Sequence, residues 1–190
     1  MRCLLFRLAL ALMSLAGLAL AQSDVHNTAD KAAPFEAQES FTLLKGIAGT
    51  WQGPVTTDPK QADMNVPAIE VTLRVTSRGN ALVHEMQAAG TPQDPTRYDH
   101  PVTMLYLDDG RLLLTHYCDA GNRPRMVARP SPDGKKVEFD YLDLSGSNDH
   151  GHMAHAVFTI IDANHHTEDW TYMMPGDKPV RAHFDLQREK

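Results

Sequence analysis

The sequence predicts an all-β fold, namely a single antiparallel up-and-down β-barrel of about ten strands with one short N-terminal α-helix. Three observations predict this fold. About ten short segments with strand character follow one another after Gly49, turn residues separate them, and no helical pattern long enough for a crossover lies between them. The 190 residues, 42% hydrophobic and 22% charged, suit one such domain and argue against a disordered chain.

The first 21 residues have the pattern of a secretory signal peptide. Arg2 and Arg7 precede an apolar run, and a small-residue cleavage site ends at Ala21. Because the run is too short for a comfortable membrane span, we expect an exported protein, periplasmic or secreted, with no membrane span. Residues 22–34 are polar and small and predict a flexible leader, so the predicted barrel domain covers residues 35–190.

Charge and cysteine content exclude some classes of protein. The full chain has a formal net charge of −6, and the predicted signal peptide contains basic residues and no acidic one. The mature chain is therefore more acidic still, which argues against a nucleic-acid-binding protein. Of the two cysteines only Cys118 lies beyond the signal peptide, so we expect no disulfide within the mature chain.

One short helix is predicted before the strands. Small and apolar residues recur there at the spacing of an amphipathic helix: Ala37, Phe41, Leu44 and Ala48. Lys45 and Gly46 are typical of a helix end. We therefore expect a helix with one apolar face that can cover part of the barrel.

Strands and turns account for the rest of the chain. Alternation of apolar and polar residues is clearest in Ile69–Thr76 and in Val180–Gln187. Asp109-Gly110 and Asp133-Gly134 are typical of two-residue hairpin turns. The predicted strands are Thr50–Thr56, Ala68–Ser77, Ala81–Gln87, Pro101–Leu107, Arg111–Cys118, Arg123–Pro130, Lys135–Leu144, His152–Ile161, Thr167–Met174 and Pro179–Arg188.

The segment Gly49-Thr50-Trp51-Gln52-Gly53 directly follows the helix. Together with the strand count and Arg188 in the last strand, it resembles the Gly-x-Trp opening strand of the calycin barrels, which include lipocalins, fatty-acid-binding proteins and nitrobindin-like haem barrels. The resemblance implies that Trp51 closes one barrel end with Arg188 across its ring, and that the barrel holds an apolar or amphipathic ligand. Residues 115–126, with Gly151-His152-Met153, are also similar to a group of exported bacterial proteins of unknown function.

Hairpin register predicts which side chains face the barrel interior. With symmetric turns at Asp109-Gly110, Ala120-Gly121 and Asp133-Gly134, one continuous face carries Val102, Met104, Tyr106, Leu113, Thr115, Tyr117, Met126, Ala128, Val137, Phe139 and Tyr141. We expect this face inside, because the opposite face contains several charges as well as His116 and Cys118. A β-bulge at Pro124 is an alternative that would turn Arg125 inward. Several leucines share the His116 face, so the sequence leaves the side of the lumen open.

The first functional hypothesis is an exported small-molecule-binding barrel with an apolar or amphipathic ligand. The expected ligand-binding residues are Tyr106, Thr115, Tyr117, Arg125, Met126, Tyr141 and His155. Arg125 beside Tyr117 or Tyr141 would suit a ligand carboxylate. The alternative for Arg125 is an exposed ion pair with Glu138 or Asp140.

The second hypothesis is a metal-binding protein or a metal-dependent enzyme. His116 and Cys118 lie two residues apart in a strand and offer soft ligands for a transition metal, which His152 or His155 could complete. Haem is an alternative cofactor, with His155 as the axial ligand, because nitrobindin-like barrels bind haem iron through a histidine.

The third hypothesis is a non-catalytic structural or interaction protein of the cell envelope. An enzyme is the less favoured reading, since no phosphate loop, nucleophile elbow or His-Glu-x-x-His motif is present in the sequence.

Overall fold

The structure is a computed structural model that describes residues 36–62, 64–131 and 134–190. The signal peptide and leader predicted for residues 1–34 lie outside this part of the chain. The predicted all-β fold is confirmed, because one helix precedes a closed antiparallel barrel of ten strands. Among the described residues, no helix has both the length and the apolar character needed to cross a membrane.

The helix α1 covers residues 36–46. The described strands that follow are β1 (Gly49–Gly53), β2 (Val55–Asp58), β3 (Ile69–Thr76), β4 (Ala81–Ala88), β5 (Val102–Asp108), β6 (Arg111–Tyr117), β7 (Arg123–Pro130), β8 (Lys136–Ser145), β9 (His152–Asp162), β10 (His165–Met174) and β11 (Lys178–Arg188). Strands β1 and β2 flank Pro54 and both pair with β11, so they act as two halves of one interrupted strand. This explains why eleven segments form a ten-stranded wall.

The strands pair in the order β1-β3-β4-β5-β6-β7-β8-β9-β10-β11-β2, and β1 also pairs with β11. Each neighbour in the wall is therefore the next strand in the sequence, apart from the split first strand. Closure brings the two ends of the domain together, with Trp51 of β1 opposite Arg188 of β11. A closed wall joins its first and last strands, which removes the unpaired edge of an open sheet.

Trp51 and Arg188 fill one end of the barrel. The indole Nε1 of Trp51 donates a hydrogen bond to the carbonyl of Ile47 at 2.9 Å. The Arg188 guanidinium lies 4.1 Å above the centre of the Trp51 ring, and its Nη1 donates to the carbonyl of Ala48 at 2.8 Å. Gly49 has a φ of +148°, and a Cβ there would overlap Arg188 Nη1, so this position requires glycine.

Helix α1 covers the same end. Phe41 and Leu44 on its apolar face are buried in the barrel core, as the helical spacing predicts. Lys45 at the last turn donates to the carbonyl of Gly79 at 3.4 Å, which ties the helix to the turn between β3 and β4. The helix, Trp51 and Arg188 together make this the closed end of the barrel.

The register of the two Asp-Gly hairpins is confirmed. Thr103 opposes His116 across β5 and β6, and Ala128 opposes Phe139 across β7 and β8, both as predicted. Asp133 itself lies outside the described residues.

The register predicted between β6 and β7 is wrong by one residue, because Thr115 rather than His116 opposes Arg125. The connection contains the residues 118–122, an odd number, whereas a symmetric turn through Ala120-Gly121 requires an even one.

This one-residue difference reverses the predicted faces of β5 and β6, since successive side chains point to opposite sides of a strand. The interior face carries Thr103, Leu105, Leu107, Leu112, Leu114, His116, Met126, Ala128, Val137 and Phe139. The prediction is thus wrong for Val102, Met104, Tyr106, Leu113, Thr115, Tyr117 and Tyr141, which lie on the outer face of the wall, where Leu113 and Thr115 are nevertheless buried. The physical reason is burial of the leucines, which outweighs the cost of burying one imidazole.

Two further irregularities in strand pairing decide on which side of the wall Arg125 and His155 lie. Arg125 opposes Asp143 and Met126 opposes Tyr141, so β8 has one extra residue at this point. The bulge is close to the one predicted at Pro124, yet Arg125 remains outside and pairs with Asp143. A second irregularity at the start of β10 shifts its pairing with β9, which turns His155 outward.

Candidate functional site

A cavity of about 320 Å³ lies at the barrel end opposite Trp51 and Arg188. Its walls come from the end of β10, from the first half of β11, from the start of β9 and from the chain segments that follow β2, β4 and β6. Because helix α1 closes the other end, this is the end at which a small molecule can enter. The volume is at the lower limit of the range for small-molecule pockets, ~300–1,000 Å³.

Most of the cavity wall is apolar. Four methionines contribute to it: Met64, Met86, Met153 and Met174. Trp170, Phe184 and Val180 add aromatic and aliphatic surface. Methionine side chains are flexible and polarisable, so such a wall can adapt to apolar guests of different shape.

His116 supplies a polar group at the inner part of the cavity. Its side chain is 1% exposed, and its Nδ1 lies 2.9 Å from the hydroxyl of Thr103. Among the described residues, none hydrogen bonds to Nε2. Burial, with a smaller contribution from His84, lowers the pKa of His116 to about 3, so the imidazole is neutral at neutral pH.

The outer part of the cavity carries the acidic and sulfhydryl groups. Burial, and then the neighbouring Asp119, raise the pKa of Asp99. Burial is also the main cause that raises the pKa of the Cys118 thiol, to which both carboxylates add. Cys118 is therefore a protonated thiol at neutral pH and not an activated nucleophile.

Tyr172 completes this outer part. Burial raises the pKa of its phenol to about 12, with further contributions from Cys118, Asp119 and Asp99. Its hydroxyl donates a hydrogen bond to the carbonyl of His150 at 2.9 Å. The neutral phenol thus ties the cavity wall to the loop between β8 and β9.

A buried polar cluster lies deeper in the barrel. Glu168 and His84 are both 0% exposed, and His84 Nε2 lies 2.9 Å from Glu168 Oε2. His166 Nε2 lies 3.0 Å from Glu168 Oε1, and the indole of Trp170 donates to Glu168 Oε2 at 2.9 Å. The Nδ1 atoms of His84 and His166 have no partner among the described residues.

Glu168 is ionised in this cluster. Burial alone would raise the pKa of its carboxyl, but the charge interaction with His84 and the hydrogen bonds from His166 and His84 outweigh burial and lower it below its ordinary value. A buried carboxylate with three donors is a satisfied group, which is the condition for burying a charge. Because the cluster is closed to solvent, we interpret it as structural.

Aromatic contacts connect the closed end with the cavity. Trp51 meets the edge of His166 at a centroid distance of 4.2 Å. On the other side of the cluster, the ring of Trp170 lies 5.3 Å from His84 and 5.9 Å from His116. The Glu168 carboxylate joins these two sets of rings, so the contacts run from Trp51 through the buried cluster to the inner wall of the cavity.

The predicted ligand-binding residues do not line this cavity. Tyr117 and Tyr141 are 43% and 44% exposed. Tyr106 and Thr115 hydrogen bond to each other at 3.0 Å on the outer face, and Arg125 pairs there with Asp143. Met126 is buried in the core close to Leu114, its partner in β6. The geometry does not support a carboxylate site at Arg125 inside the barrel.

The predicted metal ligands are divided between the two sides of the wall. His116 and Cys118 both line the cavity. The Nδ1 of His152 lies 2.8 Å from Asn148 Oδ1, and the Nε2 of His155 lies 3.0 Å from Glu138 Oε1, both on the outer side. The predicted set is therefore not brought together, and His155 does not fit as a haem ligand in the interior.

Glu138, Asp140 and His155 form the one described group of three side chains whose ligand atoms could meet on a metal ion. Arg129 pairs with both carboxylates, and Lys136 lies 3.8 Å from Glu138. These cations already neutralise the acids, so the group is explained as a network of surface ion pairs.

The buried cluster is not among the predicted sites, although the strand pattern contains a signal for it. In β4, His84 lies on the same face as Leu82 and Met86, which are two residues away on either side. In β10, Glu168 lies on the same face as Trp170. Each polar residue thus shares a face with large apolar ones. Such a position is the signal for a buried polar group with a specific partner.

No model of a known protein family matches the chain, and no curated protein matches it.

Proposed function

We propose that the protein is an exported, calycin-like carrier that binds one small apolar or amphipathic molecule in the cavity at the open end of its barrel. The observation that carries the proposal is a cavity of about 320 Å³ opposite an end that Trp51, Arg188 and α1 close. A barrel blocked at one end and hollow at the other is suited to hold a guest rather than to conduct one.

The chemistry of the wall supports binding rather than catalysis. Most of its surface is apolar, and a few polar groups are concentrated at His116 and near Cys118, as in many ligand pockets. The pKa of Cys118 is raised, and the buried cluster around Glu168 is closed to solvent, so neither offers a reactive group to a substrate.

The calycin-like part of the proposal is supported by the closed end. Gly49, Trp51 and Arg188 occupy the positions of the resemblance, and the guanidinium lies on the indole. Export is supported by the signal-like pattern of the first 21 residues.

The first prediction is that filling the cavity abolishes binding. Val180 lines the cavity, and Arg181, the next residue of β11, is exposed on the other face. We expect the Val180→Trp variant to bind the uncharged fluorescent probe N-phenyl-1-naphthylamine at least about tenfold more weakly than the wild type, because the indole occupies the space of the guest. The measurement is a fluorescence titration of the mature protein.

The matched control is Arg181→Trp, which places the same side chain on the outer face and should keep the wild-type affinity. Equal affinities for the wild type and both variants would show that the probe binds elsewhere and would contradict the proposal. Absence of any probe binding to the wild-type protein would count equally against it.

A further inference from the structure

We propose that the cavity selects an amphipathic amine, in which a protonated primary ammonium group is joined to a short apolar chain, and that it discriminates against fatty-acid anions. The inference rests on the proposed carrier function and specifies its ligand class. It stands on the distribution of charge, aromatic rings and hydrogen-bond acceptors along the cavity wall.

The charge of the wall favours a cation. Asp99 and Asp119 line the outer part of the cavity, and no lysine or arginine does so among the described residues. Since the two carboxylates repel each other, a cation held between them relieves this repulsion. A carboxylate ligand would instead add a third negative charge to the same place.

The cavity wall also contains aromatic rings, of which Tyr172 is close enough to Asp99 and Asp119 for their charges to raise the pKa of its phenol. Trp170 and Tyr172 both line the cavity, and the Trp170 N–H is directed to the buried carboxylate of Glu168. The indole N–H is thus already satisfied, so Trp170 contributes apolar ring surface to the cavity and no donor. Indole and phenol rings beside a cavity are suitable partners for an ammonium group.

His116 provides an independent sign of a ligand. It is a polar side chain, 1% exposed, that lines the cavity while its Nδ1 is held by Thr103. Among the described residues no hydrogen bond to its Nε2 is seen, and this nitrogen is not one of their fully buried unpartnered polar atoms, so it is open to a guest or to water. The neutral imidazole can accept a hydrogen bond from an N–H group of the guest once Nδ1 carries the ring proton.

The one arginine that the sequence suggested for a ligand carboxylate is absent from this wall. Arg125 lies on the outer face, where its Nε donates to Asp143 at 2.8 Å. The hydrogen bond with Asp143 is the main cause that raises the pKa of Arg125 and, reciprocally, lowers that of Asp143. This pair is complete without a ligand, and among the described residues no lysine or arginine lines the cavity to hold a fatty-acid carboxylate.

The test compares three guests with the same eight-carbon chain: octylammonium, octanol and octanoate. Each is titrated against the mature protein loaded with N-phenyl-1-naphthylamine at about pH 7. We expect octylammonium to displace the probe at a concentration about tenfold lower than octanoate, with octanol between them.

The contribution of the acids is tested with the double variant Asp99→Asn/Asp119→Asn. It should weaken octylammonium binding about three- to tenfold and leave octanol within about twofold of the wild type. The double variant Asp108→Asn/Glu189→Gln is the matched control, because it removes the same charge at the closed end and should change neither affinity. Rising salt should also weaken octylammonium binding to the wild type, but not octanol binding.

The outcomes separate the two proposals. Two results would contradict selectivity for an amine and leave the proposed carrier function intact. In the first, octanol and octanoate displace the probe but octylammonium does not. In the second, octanoate binds at least as tightly as octylammonium. If octylammonium binding is unaffected by both the acid substitutions and salt, the charge argument is overturned. If the probe does not bind the wild-type protein, both proposals fail.

Discussion

Replacing Glu168 with leucine is expected to lower the free energy of unfolding by about 3–5 kcal/mol, the usual cost of removing one partner from a buried charged pair. Glu168 accepts from His84, His166 and Trp170 at 2.9–3.0 Å, and all three donors lose their acceptor in the variant. The expected fall in melting temperature is about 6–20 °C. Urea and thermal unfolding of the purified protein measure both quantities.

Two further variants separate the causes of this loss. Glu168→Gln keeps the shape and one acceptor oxygen, so it should be destabilised less than Glu168→Leu. Asp169→Leu is the matched control, because Asp169 is the next residue of β10 and pairs with His183 on the exposed face. We expect it to cost at most about 1 kcal/mol. Equal stability of Glu168→Leu and Asp169→Leu would contradict the role given to the buried cluster.

Lowering the pH is expected to lower the free energy of unfolding over a pH window that the folded and unfolded pKa values of His116 define. The pKa of this imidazole is about 3 in the folded protein and 6.5 ordinarily, and burial is the main cause. Between these values the unfolded chain binds a proton that the folded chain excludes, so stability falls as the pH is lowered through the window. The loss is about 1.4 kcal/mol per pH unit inside the window, or roughly 5 kcal/mol in total.

The Glu168 carboxyl affects the stability of the protein at lower pH than His116 does. Its pKa is lowered in the folded state from the ordinary value of 4.5, so the stability that it contributes is complete above that value and is lost as the pH falls through the folded one. The substitution His116→Gln should therefore flatten the pH dependence between about 6 and 4.5 while the loss at lower pH remains. Burial also lowers the pKa of His152, which adds a smaller effect in the same direction.

Urea unfolding at a series of pH values checks this prediction. The exposed His183→Gln variant is the control and should retain the wild-type slope. If His116→Gln and the wild type lose stability at the same rate between about pH 6 and 4.5, His116 is not the buried neutral imidazole described above.

The architecture could be predicted because its signals are local. Turn sequences such as Asp109-Gly110 and the alternation in Ile69–Thr76 each set one strand or hairpin, and short hairpins leave the up-and-down order as the simplest arrangement. Apart from Thr50–Thr56, which the structure divides into two strands at Pro54, the predicted strand bounds agree with the structure to within two residues.

The interior face could not be predicted from the same signals, because single extra residues change it. The odd number of residues in the connection from β6 to β7 and the bulge opposite Arg125 each shift a register by one. The first has no marker in the sequence, and Pro124 indicates only that a bulge can lie nearby, without its strand or its direction. The leucines of β5 and β6 do indicate the interior face, since Leu105 and Leu114 are fully buried on the same face as His116.

The buried cluster was missed for a different reason. His84 and Glu168 are 84 residues apart in the chain, and β4 and β10 are not neighbours in the wall. Each residue alone is costly to bury, so sequence reasoning places it outside until its partner is known. The cavity depends on the same long-range geometry, because its wall combines residues of several strands and loops.

The most direct test of a guest in the cavity uses the methionine methyl groups as reporters in NMR spectra. Met64, Met86, Met153 and Met174 line the cavity, whereas Met126 is buried in the core and Met104 lies on the outer face of β5. With methyl-labelled methionine, N-phenyl-1-naphthylamine should shift the resonances of the four lining residues and leave those of Met104 and Met126 in place. Shifts confined to Met104 or Met126, or no shift at saturating probe, would contradict a binding cavity at this end of the barrel.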